Sequence, residues 1–231
     1  MKRFYKNVSV APLEGGYQIL LDDRGLKTVG GAPQIVPSES LAEAMAAEWA
    51  AQGDEVDTGS LFLRDLVDFA IDQIGSDHAA HVDQLLAFGE TDTLCYQAAP
   101  DEPFFQRQQD LWEPVLTRLE NRHDIRFELI SGIIHRPQPA ATLATLRAKL
   151  EQQDAFTMAG LLTLASLAAS LTIALTALEG GHDPATLYAI SNAEEDWQAE
   201  QWGWDAEAED IRQKRLDAFT QAMHYLEMLR S

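Results

Sequence analysis

The stretch Ala155–Leu178, AFTMAGLLTLASLAASLTIALTAL, runs 24 residues without a charge. As a helix it is long enough to span a bilayer. Its flanks argue otherwise: Asp154 and Glu179 are acidic, no Lys/Arg bias lies nearby, and neither end carries an aromatic belt. Six Ser and Thr are scattered through it. Leu164, Leu167, Leu171, Leu175 and Leu178 form a stripe opposite Ala165, Ala169, Thr172 and Thr176. This pattern predicts one central helix over 154–179, packed on several sides of a soluble bundle and not inserted in a membrane.

Downstream, Asp183 reads as an N-cap and Pro184 as a first helical residue, which predicts a helix over 184–202. Leu187, Ile190, Glu194, Trp197 and Gln201 then share one face, so Glu194 falls on the apolar stripe as a partly buried, paired carboxylate. Gly203 ends the helix and Asp205 caps a last one over 205–229. Residues 193–210, AEEDWQAEQWGWDAEAED, hold three of the chain's five Trp and eight carboxylates, with no basic residue before Arg212.

Three readings fit that stretch. It is a packed helix corner with a solvated acidic side. It is a docking surface, with Trp as anchor and carboxylates as rim; Glu195, Asp196, Trp197, Glu200 and Trp202 would then bind the partner. Or it is a carboxylate metal or acid–base site, although the Glu-x-x-His pairs of di-metal helices are missing.

Upstream, the first third reads as strands: Phe4–Val10, Tyr17–Leu21 after a Gly15–Gly16 turn, Leu26–Val29, and an extended 34–37. A helix starts at Ser38 or Ser40, the latter offering a capping box with Glu43; Leu41, Met45 and Trp49 line its buried face. Leu63, Leu66, Val67, Ala70, Ile71 and Ile74 make an amphipathic helix with Asp65, Asp68 and Asp72 outside. His78 and His81 stand one turn apart as a possible metal clip, although exposed His pairs are common. A short strand is expected over 93–97, with Thr91 or Asp92 turning the chain before it. A helix over 103–121 carries Phe105, Gln108, Trp112, Val115 and Leu119 on one face, kinked or restarted at Pro114. Arg126–Ile130 is a further strand. The stiff Arg136-Pro137-Gln138-Pro139 marks a domain boundary.

The expected fold is therefore α+β: an N-terminal domain, 1–135, with a small, mostly antiparallel sheet and helices, then an all-α helical bundle, 136–231. The 231 residues suffice for real cores. A net charge of -20 repels phosphate backbones and anionic lipid, which excludes nucleic acid as a partner and favours a neutral or basic protein surface. The lone Cys95 leaves no intramolecular disulfide and suits a reducing compartment. MKRFYKNVSVAP lacks the apolar core of a signal peptide, so the expected location is the bacterial cytoplasm. Phosphate loops, dinucleotide fingerprints, nucleophile elbows and His-Glu-x-x-His are all missing, which shifts weight from enzyme to binding protein.

Six segments occur in an informative order: Arg3-Phe4-Tyr5-Lys6, LAEAMAAEWAAQGDEVD (41–57), GETDTLCY (89–96), Trp112-Glu113-Pro114, Pro137-Gln138-Pro139 and EEDWQAEQWG (194–203). Together they resemble the assembly chaperone of F-type ATP synthase that binds the alpha subunit of the catalytic head. Phe88 stands where that family leads one to expect Tyr, and Ala199 where a bulkier apolar residue is expected. The resemblance implies a non-catalytic chaperone without ATPase activity; a monomer without cofactor or metal is expected. It would keep unassembled alpha subunit from aggregating until beta subunit replaces it. The competing class is a carboxylate- or metal-dependent hydrolase using Glu194, Glu195, Asp196 and Glu200, with His78 and His81 as further ligands.

Overall fold

The computed structural model describes residues 2–132 and 135–230. The chain packs as two compact units interleaved in sequence. One comprises Met1–His78, Asp154–Gly160 and His224–Ser231; the other comprises Ala79–Gln153 and Leu161–Met223.

The first unit is built on a small antiparallel sheet. Strand β1 (Val8–Leu13) pairs with β2 (Gly16–Leu21), setting Val8 opposite Leu21 and Val10 opposite Ile19. β2 also pairs with β3 (Arg24–Gly25) and β4 (Ile35–Val36). The alternation Tyr17, Ile19, Leu21 delivers Ile19 and Leu21 to the core. The expected strand over 26–29 does not form beyond a single bridge of Lys27 to Pro33, and β3 instead falls just before it. Asp72 accepts from the Thr28 hydroxyl at 2.6 Å and the Gly30 N–H at 2.7 Å, so the chain is held there as a loop.

Helix α1 (Glu39–Ala50) packs on this sheet. Its cap is Ser38, so the expected Ser40–Glu43 capping box is not used. The Ser38 hydroxyl accepts from Leu41 N–H at 3.2 Å and donates to the Met228 carbonyl at 2.6 Å, two bonds that a cap at Ser40 would forfeit. Leu41, Met45 and Trp49 are buried. Tyr5 meets Trp49 edge-on, centroids 5.7 Å apart, and donates its hydroxyl to the Trp49 carbonyl at 2.7 Å.

Helix α2 (Phe62–Asp68) continues as a π-helical segment, Phe69–Ile74. Asp65 is exposed as expected, but Asp68 and Asp72 are not outside. Asp68 is buried, accepts from the Gln34 amide at 2.6 Å and pairs with Arg64 at 3.6 Å. The loop around 28–34 needs acceptors, and these two carboxylates supply them. That requirement is invisible in the helical period.

The rest is helical: α3 (His78–Glu90), α4 (Pro103–His123), α5 (Ala140–Leu150), α6 (Ala155–Ala168), α7 (Leu171–Glu179), α8 (Pro184–Ser191), α9 (Ala193–Trp202) and α10 (Ala206–Met228). The exceptions are two-residue strands β5 (Tyr96–Gln97) and β6 (Ile130–Ser131), paired in parallel. The strands expected over 93–97 and 126–130 thus shrink: Thr93–Cys95 forms a 3-10 turn capped by Asp92, and the Arg126, Phe127 and Glu128 N–H groups donate to the side chains of Thr142, Glu120 and Gln138. Helix α4 runs through Pro114 without restarting. Both Asp110 and Pro114 face solvent, where water can serve the Asp110 carbonyl that Pro114 leaves unpaired. Its buried stripe is Phe104, Gln108, Trp112, Leu116 and Leu119, with Phe105 and Val115 only half-buried.

The uncharged stretch is not one helix. It breaks at Ala169, whose φ is 48°, and Ser170 caps α7 by accepting from Ile173 N–H at 3.1 Å. Among the described residues, no helix is long and apolar enough to cross a membrane. The break is held by the segment after α3. Buried Asp92 accepts from the Ser170 hydroxyl at 2.7 Å, Thr172 N–H at 2.8 Å and Leu94 N–H at 3.1 Å. Thr93 donates its hydroxyl and its N–H to the Ala169 carbonyl at 2.9 and 3.2 Å. Gly89 completes the fit, since a Cβ there would lie 3.0 Å from the Leu171 side chain. A left-handed non-glycine residue costs about 1–3 kcal/mol, and these buried bonds offset it.

Candidate docking surface

The expected helix over 184–202 is also interrupted. Asn192 leaves helical geometry at φ -105° and ψ 20°, and its side-chain amide donates to the Tyr188 carbonyl at 2.9 Å. The extra irregular residue shifts the phase of α9 against α8. Leu187 is buried and Ile190 half-buried, but the stripe does not run on into Glu194. Ala193 takes the buried place, and Glu194 and Glu195 are exposed. The expectation that Glu194 is a partly buried carboxylate is therefore corrected.

Helix α9 buries only Ala193 completely, so its position depends on polar and aromatic contacts at its sides. Arg107 of α4 grips Glu200 with both nitrogens, at 2.6 and 2.8 Å. Its guanidinium also lies 5.6 Å from the Trp197 ring centre. On the other side, Arg212 of α10 grips Asp196 through Nε at 2.8 Å and Nη2 at 2.7 Å. That guanidinium stands 5.5 Å from the Tyr188 ring and 5.6 Å from the Trp204 ring. A planar fork that binds a carboxylate bidentately while stacking on an aromatic face is available to Arg and not to Lys.

Trp197 continues inward. It packs on Phe104 at 5.7 Å, Phe104 meets Trp112 edge-on at 6.2 Å, and Trp112 Nε1–H donates to the Ile190 carbonyl at 2.8 Å. Trp197 is therefore the half-buried foot of α9. Trp202, at the helix end, is 81% exposed, with Trp204 39% and Ile211 50% exposed after it. Gly203, at φ 85°, turns the chain, and Asp205 caps α10 by accepting from Glu207 and Ala208 N–H at 2.9 and 3.0 Å. Asp196, Glu200, Trp204, Glu209, Arg212 and Gln213 line an open groove of about 340 Å³.

Of the five residues read as partner-binding, the structure gathers all on α9 but gives them different surroundings. Trp202 and Glu195 face solvent, Trp197 packs inward, and Asp196 and Glu200 are engaged by arginines. Arg107 holds the Glu200 carboxyl below the usual carboxylate range, and Glu200 in turn raises the Arg107 guanidinium. The Asp196 and Arg212 side chains are only about one-fifth exposed, whereas half of Glu200 remains open to water. Arg107 and Arg212 went unrecognised as site residues. Their signal was present in Arg212 as the first cation after the acidic run and in Arg107 between Phe104 and Trp112 on α4.

Nothing in this geometry suits hydrolysis. The carboxylates are shared with guanidinium groups, and neither acid stands beside a nucleophile. Among the described residues, no group of three or more His, Cys, Asp or Glu is placed to hold a metal, His78 and His81 included. Cys95 is buried, and burial raises its thiol, which keeps it unreactive.

Residues 2–120 match the family described as ATP12 chaperone protein. The chain belongs to the ATP12 chaperone family. Crystal structures agree along nearly its whole length. Atp12 from Paracoccus denitrificans is 32% identical, with a TM-score of 0.93 over 99% of this chain and 98% of that one. The crystal structure of the Atu1473 protein from Agrobacterium tumefaciens is 39% identical, with a TM-score of 0.94 over 99% of this chain and 86% of that one. Protein atp12, mitochondrial, from Schizosaccharomyces pombe is 27% identical over 227 residues, which cover 93% of this chain and 78% of that protein. ATP12 proteins are assembly chaperones and not enzymes. The α+β N-terminal part followed by helices is their fold.

Proposed function

We propose that this ATP12 chaperone binds the unassembled alpha subunit of F-type ATP synthase and prevents its aggregation until beta subunit replaces it. The observation that carries the reading is Trp202, a large aromatic left 81% exposed at the tip of an acidic helix. Exposed tryptophan beside charged residues is the composition of an interface anchor with a selective rim. A free alpha subunit would present a sticky surface meant for beta, and a Trp-anchored, acid-rimmed face covers such a patch reversibly. In this reading Trp202 and Glu195 touch the client. Asp196, Trp197 and Glu200 both fix α9 and offer their remaining exposed atoms to the partner.

The protein acts as a monomer in the bacterial cytoplasm, without cofactor, on a protein client and not on nucleic acid. A boundary near residues 135/136, inside the compact unit that includes Ala79–Gln153, is part of the same proposal; limited proteolysis that cuts there first supports it, and cutting only elsewhere overturns it. Co-purification of alpha subunit with the tagged protein tests the function. Recovery of alpha subunit alone, displaced by added beta subunit, is the expected result. Failure to retain alpha subunit under conditions where it aggregates on its own would overturn it.

A further inference from the structure

A second cavity, of about 200 Å³, opens where α4, α5 and α7 end. Arg122, His123, Lys149, Gln152, Gln153 and Glu179 line it above the apolar Leu175 and Leu178. Its volume is several times the about 30 Å³ share of one water. The Glu179 side chain is only 8% exposed and is gripped by two arginines, Arg118 at 3.2 Å and Arg122 at 3.0 Å. Lys149 makes no ion pair among the described residues. Two arginines pair with one carboxylate and Lys149 lines the same cavity, a local excess of positive charge in a chain whose net charge is -20.

Helix C-termini attract cations, and three of them end here. That accounts for only part of the excess, because each end is already capped by a backbone bond. Asp124 N–H donates to Glu120, Glu151 N–H to Arg147 and Gly180 N–H to Ala177. His123 senses the remainder. Burial lowers its imidazole first; Lys149 and Arg122 lower it further, while Glu179 acts the other way. Lys149 and Arg122 both line the cavity, and among the described residues the one carboxylate that lines it, Glu179, is ion-paired to Arg118 and Arg122 and not to Lys149.

We propose that this cavity binds a single oxyanion, held by the Lys149 ammonium and the Arg122 guanidinium with the Gln152 amide donating to a further oxygen. Two sources carry that chemistry: a free phosphate-type ion, or the carboxylate of an acidic side chain on the client. Glu179 is the fixed counter-charge that keeps Arg118 and Arg122 in place without filling the cavity. The site is independent of the α9–α10 groove and stands whether or not the client is alpha subunit.

The test is an NMR titration of the isotope-labelled full chain with inorganic phosphate, with sodium chloride at equal ionic strength as reference. Saturable shifts are expected at Lys149, Gln152 and the His123 ring. Occupancy should raise the His123 pKa, because a bound anion favours imidazolium. Lys149→Gln, at a half-exposed position, should keep its melting temperature and weaken phosphate binding by about tenfold or more, the size of one charge-assisted contact. Gln152→Ala should weaken it less. Shifts that match those in chloride, fail to saturate, or persist unchanged in Lys149→Gln would overturn the site. Saturating phosphate that blocks client capture would assign the oxyanion to a client side chain; capture unaffected by bound phosphate would assign it to the free ion.

Discussion

Helix interruptions in two regions set the interior of this protein against its proposed docking surface. At Ala169 the break lies at the surface but is anchored from the core: buried Asp92 and Ser170, with Thr93, satisfy it with neutral and charge-assisted hydrogen bonds. At α9 two breaks, Asn192 and Gly203, isolate a short acidic helix held from outside by Arg107 and Arg212. Both regions rely on carboxylates. In the first, an acid has no access to water and every contact is internal. In the second, the acids keep exposed atoms, and a tryptophan beside them has little protein to pack against. A carboxylate sealed from water serves the fold, whereas carboxylates left half open beside an exposed Trp202 are available to a partner.

The buried side of the contrast should give the largest effects. Trp49→Ala removes a fully packed aromatic and should cost about 3–5 kcal/mol, seen as a lower midpoint in chemical denaturation. An unchanged midpoint with lost client capture would place Trp49 at the interface. Asp92→Ala strands the Ser170 hydroxyl and the Thr172 N–H in the core and should cost about 2–4 kcal/mol. If its melt matched wild type, the Ala169 break would be held by something else, and the distinction drawn above would fail.

These two residues also show what was legible beforehand. Trp49 follows from the Leu41/Met45/Trp49 period, because a helix stripe reports burial directly. Asp92 was legible only as a turn former. Its partners Ser170 and Thr172 lie 78 and 80 residues away, and such separations leave no periodic trace. For the same reason 154–179 read as one helix: periodicity continues across Ala169, and only the distant Asp92 explains why the backbone does not. Residues 184–202 failed differently. One irregular residue, Asn192, re-phased α9, which exposed Glu194 and turned Asp196 and Glu200 toward arginines from other helices. The acidic, tryptophan-rich character of the region was readable; which acids were already partnered was not.

On the surface side, stability effects should be smaller and binding effects larger. Arg212→Gln loosens the better-buried clamp and should cost about 1–2 kcal/mol, with Trp204 fluorescence shifting toward that of a solvated indole. Unchanged fluorescence would mean Arg212 does not order Trp204. The charge reversal Glu195→Lys with Glu200→Lys replaces the Arg107–Glu200 pair with two cations, so it should lower the melt slightly and weaken protection of alpha subunit much more, with less salt sensitivity in what remains. A collapsed melt would make these acids structural.

The smallest effect is a pH dependence. Arg107 holds Glu200 below its ordinary range, so the folded pKa lies under the unfolded one. Its contribution is then complete above the ordinary carboxylate pKa of about 4.3 and is lost as pH falls through the lowered value. Melting curves of wild type and Glu200→Gln should differ slightly at neutral pH and converge in acid. A gap that persists at the acid end would mean Arg107 and Glu200 are not paired in solution.

If the exposed tip of α9 captures the client, Trp202→Ala should weaken capture without weakening the fold. The assay follows light scattering of alpha subunit diluted from denaturant, with wild-type or W202A protein present and thermal melts run alongside. The expected result is a melt unchanged within about 0.5 kcal/mol and clearly reduced suppression of aggregation. Full suppression by W202A, at equal protein concentration and with an unchanged melt, would contradict it and place client binding on another face.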